Sequence, residues 1–444
     1  MPYITNTEEE RLQMLKEIGV GSFDELINSI PENMRFSRNL AIPDGKSEFE
    51  VFKLLKDMSV ENDTTDNYIS FLGGGAYDHL IPSAVSHITS RPEFYTSYTP
   101  YQAEVSQGTL QAIYEYQTMI CELTGMDAAN ASLYDGGSAA GEAALLACDV
   151  KRNKKILVPQ TVNPHYTHTI KTYCYGQGIS IEGIPSKNGI VDTEALKELC
   201  KNEYAGIVLQ HPNFFGCLEN VFEIEEIVHS TGGLLIVAVD PVSLGLLQPP
   251  SVYNADIVCG EGQSLGNDLN FGGPYLGIFA AKNEFIRKMP GRIIGKTVDV
   301  DGKDGYVMVL QTREQHIRRE KATSNICTNQ QLNVLTACVH LSLLGKNGIK
   351  EAANHCIQKS HYLAENIDSL EGYKLKYSSP FFKEFTIETE KESKEIINAL
   401  HSKKIFAGID LNKFGIKNSL LIAATEKRTK SEMDFFVEAL KSAQ

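Results

Sequence analysis

Two glycines and a serine, Gly136, Gly137 and Ser138, stand directly before an alanine-rich stretch that predicts a helix. Glycines at a helix start let backbone N–H groups approach an anion, and the helix dipole favours negative charge there. The pattern therefore fits a phosphate-binding turn, and it fits an ordinary turn with an N-cap as well. Glu142, which we place in the first helical turn, would compete with a bound anion.

Asp240 follows the most apolar predicted strand of the chain, residues 234–239. Ligands of open α/β sheets bind beyond the carboxyl ends of the parallel strands. In enzymes that use pyridoxal phosphate, a carboxylate at this place pairs with the pyridinium nitrogen and makes the ring a better electron sink. A turn residue before Pro241 explains Asp240 equally well. His165 similarly suits either stacking on a cofactor ring or a structural role.

Position 263 argues against covalent chemistry on this chain. Such enzymes hold the cofactor as an imine on a lysine, usually roughly 20 to 30 residues after the aspartate. The loop after the next predicted strand carries Gln263 at that place, and an amide cannot form an imine. The nearest downstream lysine, Lys282, follows a further strand and is expected at its solvent end. We therefore predict a vestigial cofactor pocket, made of Gly136, Gly137, Ser138, His165 and Asp240.

Two further segments are candidates for contact with a ligand or a partner. Tyr95, Tyr98, Tyr101 and Gln102 crowd into a short stretch. Because tyrosine joins an apolar ring to a polar tip, the stretch suits an interface or a ligand pocket as well as plain packing. The charged run 313–325 is typical of a solvated helix face, but its polar end also suits a phosphate or a neighbouring loop. No metal-ligand spacing and no pair of carboxylates stands out.

The composition limits the classes of protein to consider. The 444 residues, 42% hydrophobic and 22% charged, suffice for two or three globular domains. No stretch approaches the roughly 20 apolar residues of a membrane span, and the N-terminus lacks the regions of a signal peptide. A net charge of −14 disfavours nucleic-acid binding. Nine scattered cysteines without a C-x-x-C pair predict reduced thiols and a cytoplasmic location.

Three regions would position these residues. Residues 1–65 predict an N-terminal helical arm, opened by a capping box at Thr7 and Glu10, of a kind that packs on a partner or a neighbouring domain. Residues 66–325 alternate apolar strands with helices, which predicts an α/β domain with a mainly parallel sheet covered by helices. Residues 326–444 predict a smaller C-terminal α+β domain. The predicted strands are 155–158, 206–209, 234–239, 256–259, 275–279, 385–387 and 420–423, and the predicted helices are 192–202, 223–230, 330–344, 393–401 and one that starts after Thr429.

Five segments together carry a family resemblance that spans essentially the whole chain: residues 3–35, 75–79, 98–108, 313–328 and 424–429. Through them the sequence resembles the alpha subunits (subunit 1) of the two-subunit bacterial glycine dehydrogenase (decarboxylating), the P-protein of the glycine cleavage system. The resemblance implies a type I pyridoxal-phosphate-dependent transferase-like fold, in an assembly of two alpha and two beta subunits. It also implies that the beta subunit carries the lysine and the cofactor, in agreement with Gln263.

The implied reaction removes CO2 from glycine and passes the aminomethyl group to the lipoyl group of H-protein. The resemblance further implies that the alpha subunit completes a shared site and docks H-protein, with the segment from Tyr95 to Gln102 facing the cofactor of the beta subunit. Two other functions stay open. In the first, the chain is a structural scaffold without a role in the site. In the second, it is a self-sufficient pyridoxal phosphate enzyme that uses a different lysine.

Overall fold

The computed structural model describes residues 5–36, 38, 40–95, 99–270, 272–322, 324–326 and 328–443, in two compact units, Met1–Asp63 and Thr64–Gln444. The first unit contains helices α1 (Glu8–Ile18), α2 (Phe23–Leu26) and α3 (Glu48–Ser59). The predicted capping box is confirmed, since Thr7 and Glu10 each bond the backbone N–H of the other. None of these three helices contains a buried residue. Packing of this arm on a partner stays a prediction.

The second unit alternates helices and strands along the chain. Its helices are α4 (Ser83–Thr89), α5 (Pro92–Tyr95), α6 (Gln107–Thr124), α7 (Gly136–Lys151), α8 (Pro164–Tyr175), α9 (Thr193–Leu199), α10 (Val221–Ser230), α11 (Gln315–Arg318), α12 (Gln331–Asp368), α13 (Ser393–His401) and α14 (Lys430–Lys441). Its strands are β1 (Ile69–Ser70), β2 (Ala128–Ala129), β3 (Lys155–Pro159), β4 (Ser180–Ile184), β5 (Ser186–Lys187), β6 (Ile190–Val191), β7 (Gly206–His211), β8 (Leu234–Val239), β9 (Ile257–Glu261), β10 (Gly277–Ala281), β11 (Ile293–Val298), β12 (Asp304–Val309), β13 (Tyr373–Leu375), β14 (Glu384–Thr389), β15 (Ile405–Phe406), β16 (Ile409–Asp410) and β17 (Ser419–Ala423).

A seven-stranded sheet in the order β2-β10-β9-β8-β7-β3-β4 forms the centre of this unit. The five strands from β9 to β4 run parallel, while β10 and β2 are antiparallel to their neighbours. All six residues of β8 are buried. Leu235 and Val237 pack into one apolar cluster and Ile236 and Ala238 into a second, as expected for a strand covered on both faces. The predicted mainly parallel sheet is confirmed.

A smaller antiparallel sheet, in the order β13-β14-β17-β16, follows with helices α12 to α14. The predicted C-terminal α+β architecture is therefore confirmed, whereas the predicted boundaries at 65 and 325 stay predictions. Helix α12 is interrupted at Gly345, whose φ of 56° lies in the left-handed region that glycine adopts at low cost. Within the described residues, no helix has both the length and the apolarity that a membrane span requires.

Two segments of the family resemblance, 75–79 and 424–429, lie against each other. The Asp78 carboxylate pairs with Lys427 Nζ at 2.6 Å and with Arg428 Nη2 at 2.8 Å. The Asp78 carbonyl accepts a hydrogen bond from Thr425 Oγ1 at 2.7 Å. Because Arg428 is only 3% exposed, Asp78 compensates a cation that water cannot reach.

We expect Asp78→Ala to lower the free energy of unfolding by roughly 3–5 kcal/mol, because it leaves the buried Arg428 with only the more distant carboxylate of Glu432 at 3.7 Å. Denaturant unfolding of the full-length chain measures this change. Glu93→Ala is the matched control, since it breaks an ion pair with Arg91 that is exposed on both sides. Equal effects of the two substitutions would contradict a special role for Asp78.

Candidate functional site

The carboxyl ends of β7, β8 and β9 meet the start of α7 at one edge of the central sheet. This is the place where open α/β sheets bind ligands. The space left between these elements is a cavity of about 20 Å³, lined by Gly75, Tyr77, Tyr166, Gln210, Pro212, Gly216, Ala238, Val239, Asp240, Glu261, Phe382, Lys383 and Glu384. That volume holds about one water molecule.

Gln263 lies in the loop after β9, is 2% exposed, and has both ends of its amide bonded. Its Oε1 accepts the N–H of Tyr77 at 2.8 Å. Its Nε2 donates to the carbonyl of Asn267 at 2.7 Å and to that of Tyr77 at 3.2 Å. The side chain is thus a structural clamp on the backbone of Tyr77. Lys282 follows β10, which runs antiparallel to β9, and so pairs with Asp256 at the opposite edge of the sheet.

Asp240 stands at the end of β8, where the sequence predicts a partner for a pyridinium nitrogen. Its Oδ2 instead lies 2.7 Å from the Nζ of Lys383, a side chain only 1% exposed. The same Nζ lies 3.0 Å from His79 Nε2 and 3.5 Å from the centre of the Tyr77 ring. The ammonium of Lys383 therefore has a carboxylate, an imidazole and an aromatic face around it.

The start of α7 is also occupied by a side chain of the protein. Glu261 Oε2 accepts the N–H of Gly136 at 2.9 Å. Glu261 Oε1 accepts the N–H groups of Gln263 and Leu276, both at 3.0 Å. A carboxyl group thus takes one backbone donor, the Gly136 N–H, that an anion at this helix terminus would use.

The other predicted residues of the turn are partly engaged as well. Ser138 donates both its N–H, at 2.6 Å, and its hydroxyl, at 2.8 Å, to Asp135, the N-cap of α7. A Cβ added at Gly136 would collide with the Tyr166 hydroxyl, and one at Gly137 would lie 3.1 Å from Thr169 Oγ1. The sequence fits a phosphate-binding turn or an ordinary turn with an N-cap here, and the N-cap is present. Tyr166 fills the space beside Gly136.

Two expectations about neighbouring residues need correction. Glu142 is the seventh residue of α7 and so lies in the second turn, not the first. Its carboxyl contacts Ser324 and not the helix start, because more than one helical turn separates it from Gly136. His165 is exposed, packs edge-on against Phe414 at 5.8 Å, and does not line the small cavity.

Burial shifts the protonation of several acids around the cavity. It raises the pKa of Glu261 to about 8, against the opposing effect of the N–H bonds from Gly136 and Leu276. Burial also raises the pKa of Glu384 to about 7. The hydrogen bonds that its carboxyl accepts from the Gly74 N–H and the Tyr77 hydroxyl act in the opposite direction. Burial, assisted by Glu384, raises the pKa of Tyr77 well above its ordinary value.

The residues at this edge do not fit pyridoxal phosphate. Gln263 cannot supply an amine, Lys383 takes the carboxylate that a pyridinium would need, and Glu261 takes a backbone donor of the phosphate turn. The remaining 20 Å³ compares with about 300–1,000 Å³ for small-molecule pockets. Gly136 and Asp240 both lie at this edge of the sheet, and the space between them is filled by the protein itself.

His79, Cys356 and Glu426 form a neighbouring cluster whose ligand-type atoms lie within 4.8 Å of one another. His79 Nδ1 lies 2.6 Å from Glu426 Oε2, and the Cys356 thiol lies 3.5 Å from the same oxygen. Burial raises the pKa of Cys356, which keeps its sulfur a thiol. Because Lys383 already contacts the other nitrogen of His79, we assign the cluster to holding the loop around His79 in place.

The tyrosine-rich segment makes a separate group. Tyr95 is 68% exposed at the end of α5, and Gln102 is also exposed. The guanidinium of Arg292 lies 3.6 Å from the ring centre of Tyr101. Tyr98 lies outside the described residues. Contact of this segment with a partner's cofactor therefore stays a prediction.

The charged run 313–325 differs from a simple solvated face at its first residue. Arg313 is buried and donates to the carbonyls of Met289, Gly291 and Leu310. Burial lowers the pKa of this guanidinium from its ordinary value. The helix that follows, α11, contains no buried residue.

Sequence reasoning missed Lys383, Glu261 and Tyr77 as residues of this site. Glu261 carries a weak signal, because it is an acid at the end of an apolar strand two residues before Gln263. Lys383 carries no local signal, since it reaches the pocket from the smaller sheet. Tyr77 lies in one of the segments of the family resemblance, but nothing in that segment indicates what it contacts.

Comparison with known proteins places the chain among its relatives. The sequence family described as "Glycine cleavage system P-protein" matches residues 1–440. A protein of Chloroherpeton thalassium described as "Probable glycine dehydrogenase (decarboxylating) subunit 1" is 54% identical over 441 residues, 99% of each chain. A crystal structure of glycine decarboxylase (P-protein) of the glycine cleavage system, in inhibitor-bound form, has a TM-score of 0.90 at 37% identity and covers 100% of both chains.

A more distant likeness bears on the fold alone. Glutamate decarboxylase of Lactobacillus brevis has a TM-score of 0.69 at 12% identity, over 95% of this chain and 96% of its own. With the P-protein structure it gives the pyridoxal-phosphate-dependent transferase fold, as the sequence predicts.

The buried acid of α7 yields a pH prediction. Burial raises the pKa of Glu142 to about 7, against the hydrogen bond from Ser324, and the ring of Tyr173 lies nearby. A raised pKa means that the folded state favours the protonated acid. The stability contributed by this group is therefore complete below its unfolded pKa of about 4.5 and is lost as the pH rises through about 7.

We expect the unfolding free energy of the wild-type chain, relative to Glu142→Gln, to fall by roughly 3 kcal/mol between pH 4.5 and pH 8. Denaturant unfolding curves of both proteins across that range measure the difference. Glutamine is the suitable reference because it keeps the size of the side chain and cannot titrate. A difference that is independent of pH would show that Glu142 stays ionised when buried.

Proposed function

Because the chain belongs to the subunit 1 branch of the glycine cleavage system P-protein family, we propose that its enzyme's pyridoxal phosphate is held by a partner beta subunit. The chain is a subunit of glycine dehydrogenase (decarboxylating), and the designation of subunit 1 implies a subunit 2. The single observation that carries the proposal is Gln263. An amide stands where the imine-forming lysine belongs, and both of its ends are bonded to backbone.

The proposed reaction is the decarboxylation of glycine and the transfer of its aminomethyl group to the lipoyl group of H-protein. The cofactor, when bound on the partner, supplies the electron sink for the loss of CO2. The proposed assembly has two alpha and two beta subunits. Within it, this chain contributes a rigid wall to a shared site, and H-protein docks on the assembled complex.

The segment from Tyr95 to Gln102 is the part of this chain that we place next to the partner's cofactor. Its support is exposure and chemistry. Tyr95 and Gln102 offer a hydroxyl and an amide to solvent, while Arg292 holds the ring of Tyr101 from one side. Exposed polar groups beside an anchored aromatic ring suit a site completed by a second chain.

The full-length chain, purified without its partner and treated with pyridoxal phosphate and borohydride, should gain no pyridoxyl adduct at a pocket lysine. Peptide mass spectrometry locates any fixed adduct, and the complex with subunit 2, treated in parallel, should carry one on subunit 2. A stoichiometric adduct on Lys383 or another pocket lysine of this chain would establish the self-sufficient enzyme instead.

Tyr98→Phe and Gln102→Ala should each lower the glycine–bicarbonate exchange rate of the assembled complex, because each removes a polar group from the proposed shared site. Size-exclusion chromatography should show unchanged assembly. Tyr175→Phe is the matched control, since Tyr175 is 87% exposed on a different helix.

If both variants assemble and turn over at the control rate, the segment leaves the site. The same result across the other exposed residues of this chain would make subunit 1 a scaffold for subunit 2. The exchange assay therefore separates a site role from a purely structural one.

A further inference from the structure

We propose that Glu261, Tyr166 and Lys383 form an internal plug that takes the place of a phosphorylated pyridine ring in this chain. The inference deepens the proposed function, since that function requires only a missing lysine, whereas the plug excludes the cofactor even if a lysine were present. Glu261 and Tyr166 fill one end of the pocket, and Lys383 fills the other.

The anion end of the pocket is filled by Glu261 and Tyr166. Three backbone N–H groups, from Gly136, Gln263 and Leu276, converge on the two oxygens of Glu261 at 2.9 to 3.0 Å. The bond from Gly136, at the start of α7, is one that a phosphate oxygen would accept there. Tyr166 packs its hydroxyl against the Cα of Gly136, at the spot where glycine would let a ligand approach the backbone.

The ring end of the pocket is filled by Lys383. Its ammonium lies 2.7 Å from Asp240 Oδ2, the carboxylate that would otherwise face a pyridinium nitrogen. It also lies 3.5 Å from the centre of the Tyr77 ring. The ammonium of Lys383 thus supplies the cation that Asp240 and the Tyr77 ring would otherwise find in a ligand.

The plug also joins two parts of the fold. Lys383 precedes β14 of the smaller sheet, and Asp240 ends β8 of the central sheet. Glu384, the first residue of β14, bonds the N–H of Gly74 at 2.6 Å and the Tyr77 hydroxyl at 2.7 Å. These side-chain contacts add to the backbone hydrogen bonds of Leu218 with Pro380 and of Phe382 with Gly216, so the chain needs no cofactor to close its pocket.

The first test removes the carboxyl group of Glu261 from the anion end of the pocket. In Glu261→Ala the backbone donors lose their acceptor, so inorganic phosphate should bind there and raise the melting temperature above that in chloride of equal ionic strength. Glu261→Gln keeps an acceptor oxygen and the volume, and it should show no phosphate effect, as should the wild-type chain. A phosphate effect of equal size in all three proteins, or in none, would overturn the plug.

The second test removes the ammonium group of Lys383 from the ring end of the pocket and does not depend on the first. Lys383→Ala leaves Asp240 unpaired beside a new cavity, so ethylammonium chloride should raise its melting temperature more than tetramethylammonium chloride does, because only the primary ammonium fits and donates hydrogen bonds. Lys376→Ala is the control, a lysine paired with the exposed Glu388. Absence of rescue in Lys383→Ala, or equal rescue in the control, would overturn the assignment of Lys383.

A third experiment combines the two ends. Gln263→Lys alone should gain no borohydride-fixed pyridoxyl group, whereas Gln263→Lys with Glu261→Ala and Lys383→Ala should gain one at position 263. An adduct in the single variant would overturn the plug, because a lysine alone would then suffice. None of these outcomes changes the exchange rate of the wild-type complex or its adduct on subunit 2, so the plug and the proposed function fail independently.

Discussion

The ammonium of Lys383 lies 2.7 Å from the carboxylate of Asp240 where almost no water reaches. Losing either member of such a pair costs roughly 3–5 kcal/mol, because the remaining charge stays buried without compensation. Neither sheet can therefore shift far while the other stays in place. The position of Tyr77 follows from this constraint, since its ring covers the ammonium and its backbone is clamped by Gln263.

The sequence predicts well those features that depend on neighbouring residues. The strand that ends at Asp240 and the missing lysine at position 263 both follow from apolar runs and from spacing along the chain. The sequence fails where the deciding contact is distant. Lys383 lies 143 positions after Asp240 (383 − 240), and no periodicity links the two. The sequence also gives no signal that Tyr166, and not its neighbour His165, lines the pocket, because the rotation of a helix start cannot be read from single residues.

A shared fold leaves the chemistry of a pocket open. The likeness to glutamate decarboxylase at 12% identity extends over 95% of this chain. The pocket of this chain is nevertheless filled by side chains of the chain itself. Three side chains fill the pocket of this chain: the amide of Gln263, the carboxyl of Glu261 and the amine of Lys383. Each replaces a contact of a ligand by a contact within the chain, so the backbone of the sheet needs no change.

The distance along the chain between the two charges also sets the order of events during synthesis. Asp240 leaves the ribosome 143 residues before Lys383 (383 − 240), an interval on the order of ten seconds at ordinary elongation rates. The last of the parallel strands, β9, ends at Glu261, so all of them are synthesised well before Lys383, and until then Asp240 lacks the cation that pairs with it. The carboxyl end of β8 therefore gains its cationic partner only when the C-terminal part of the polypeptide has been made.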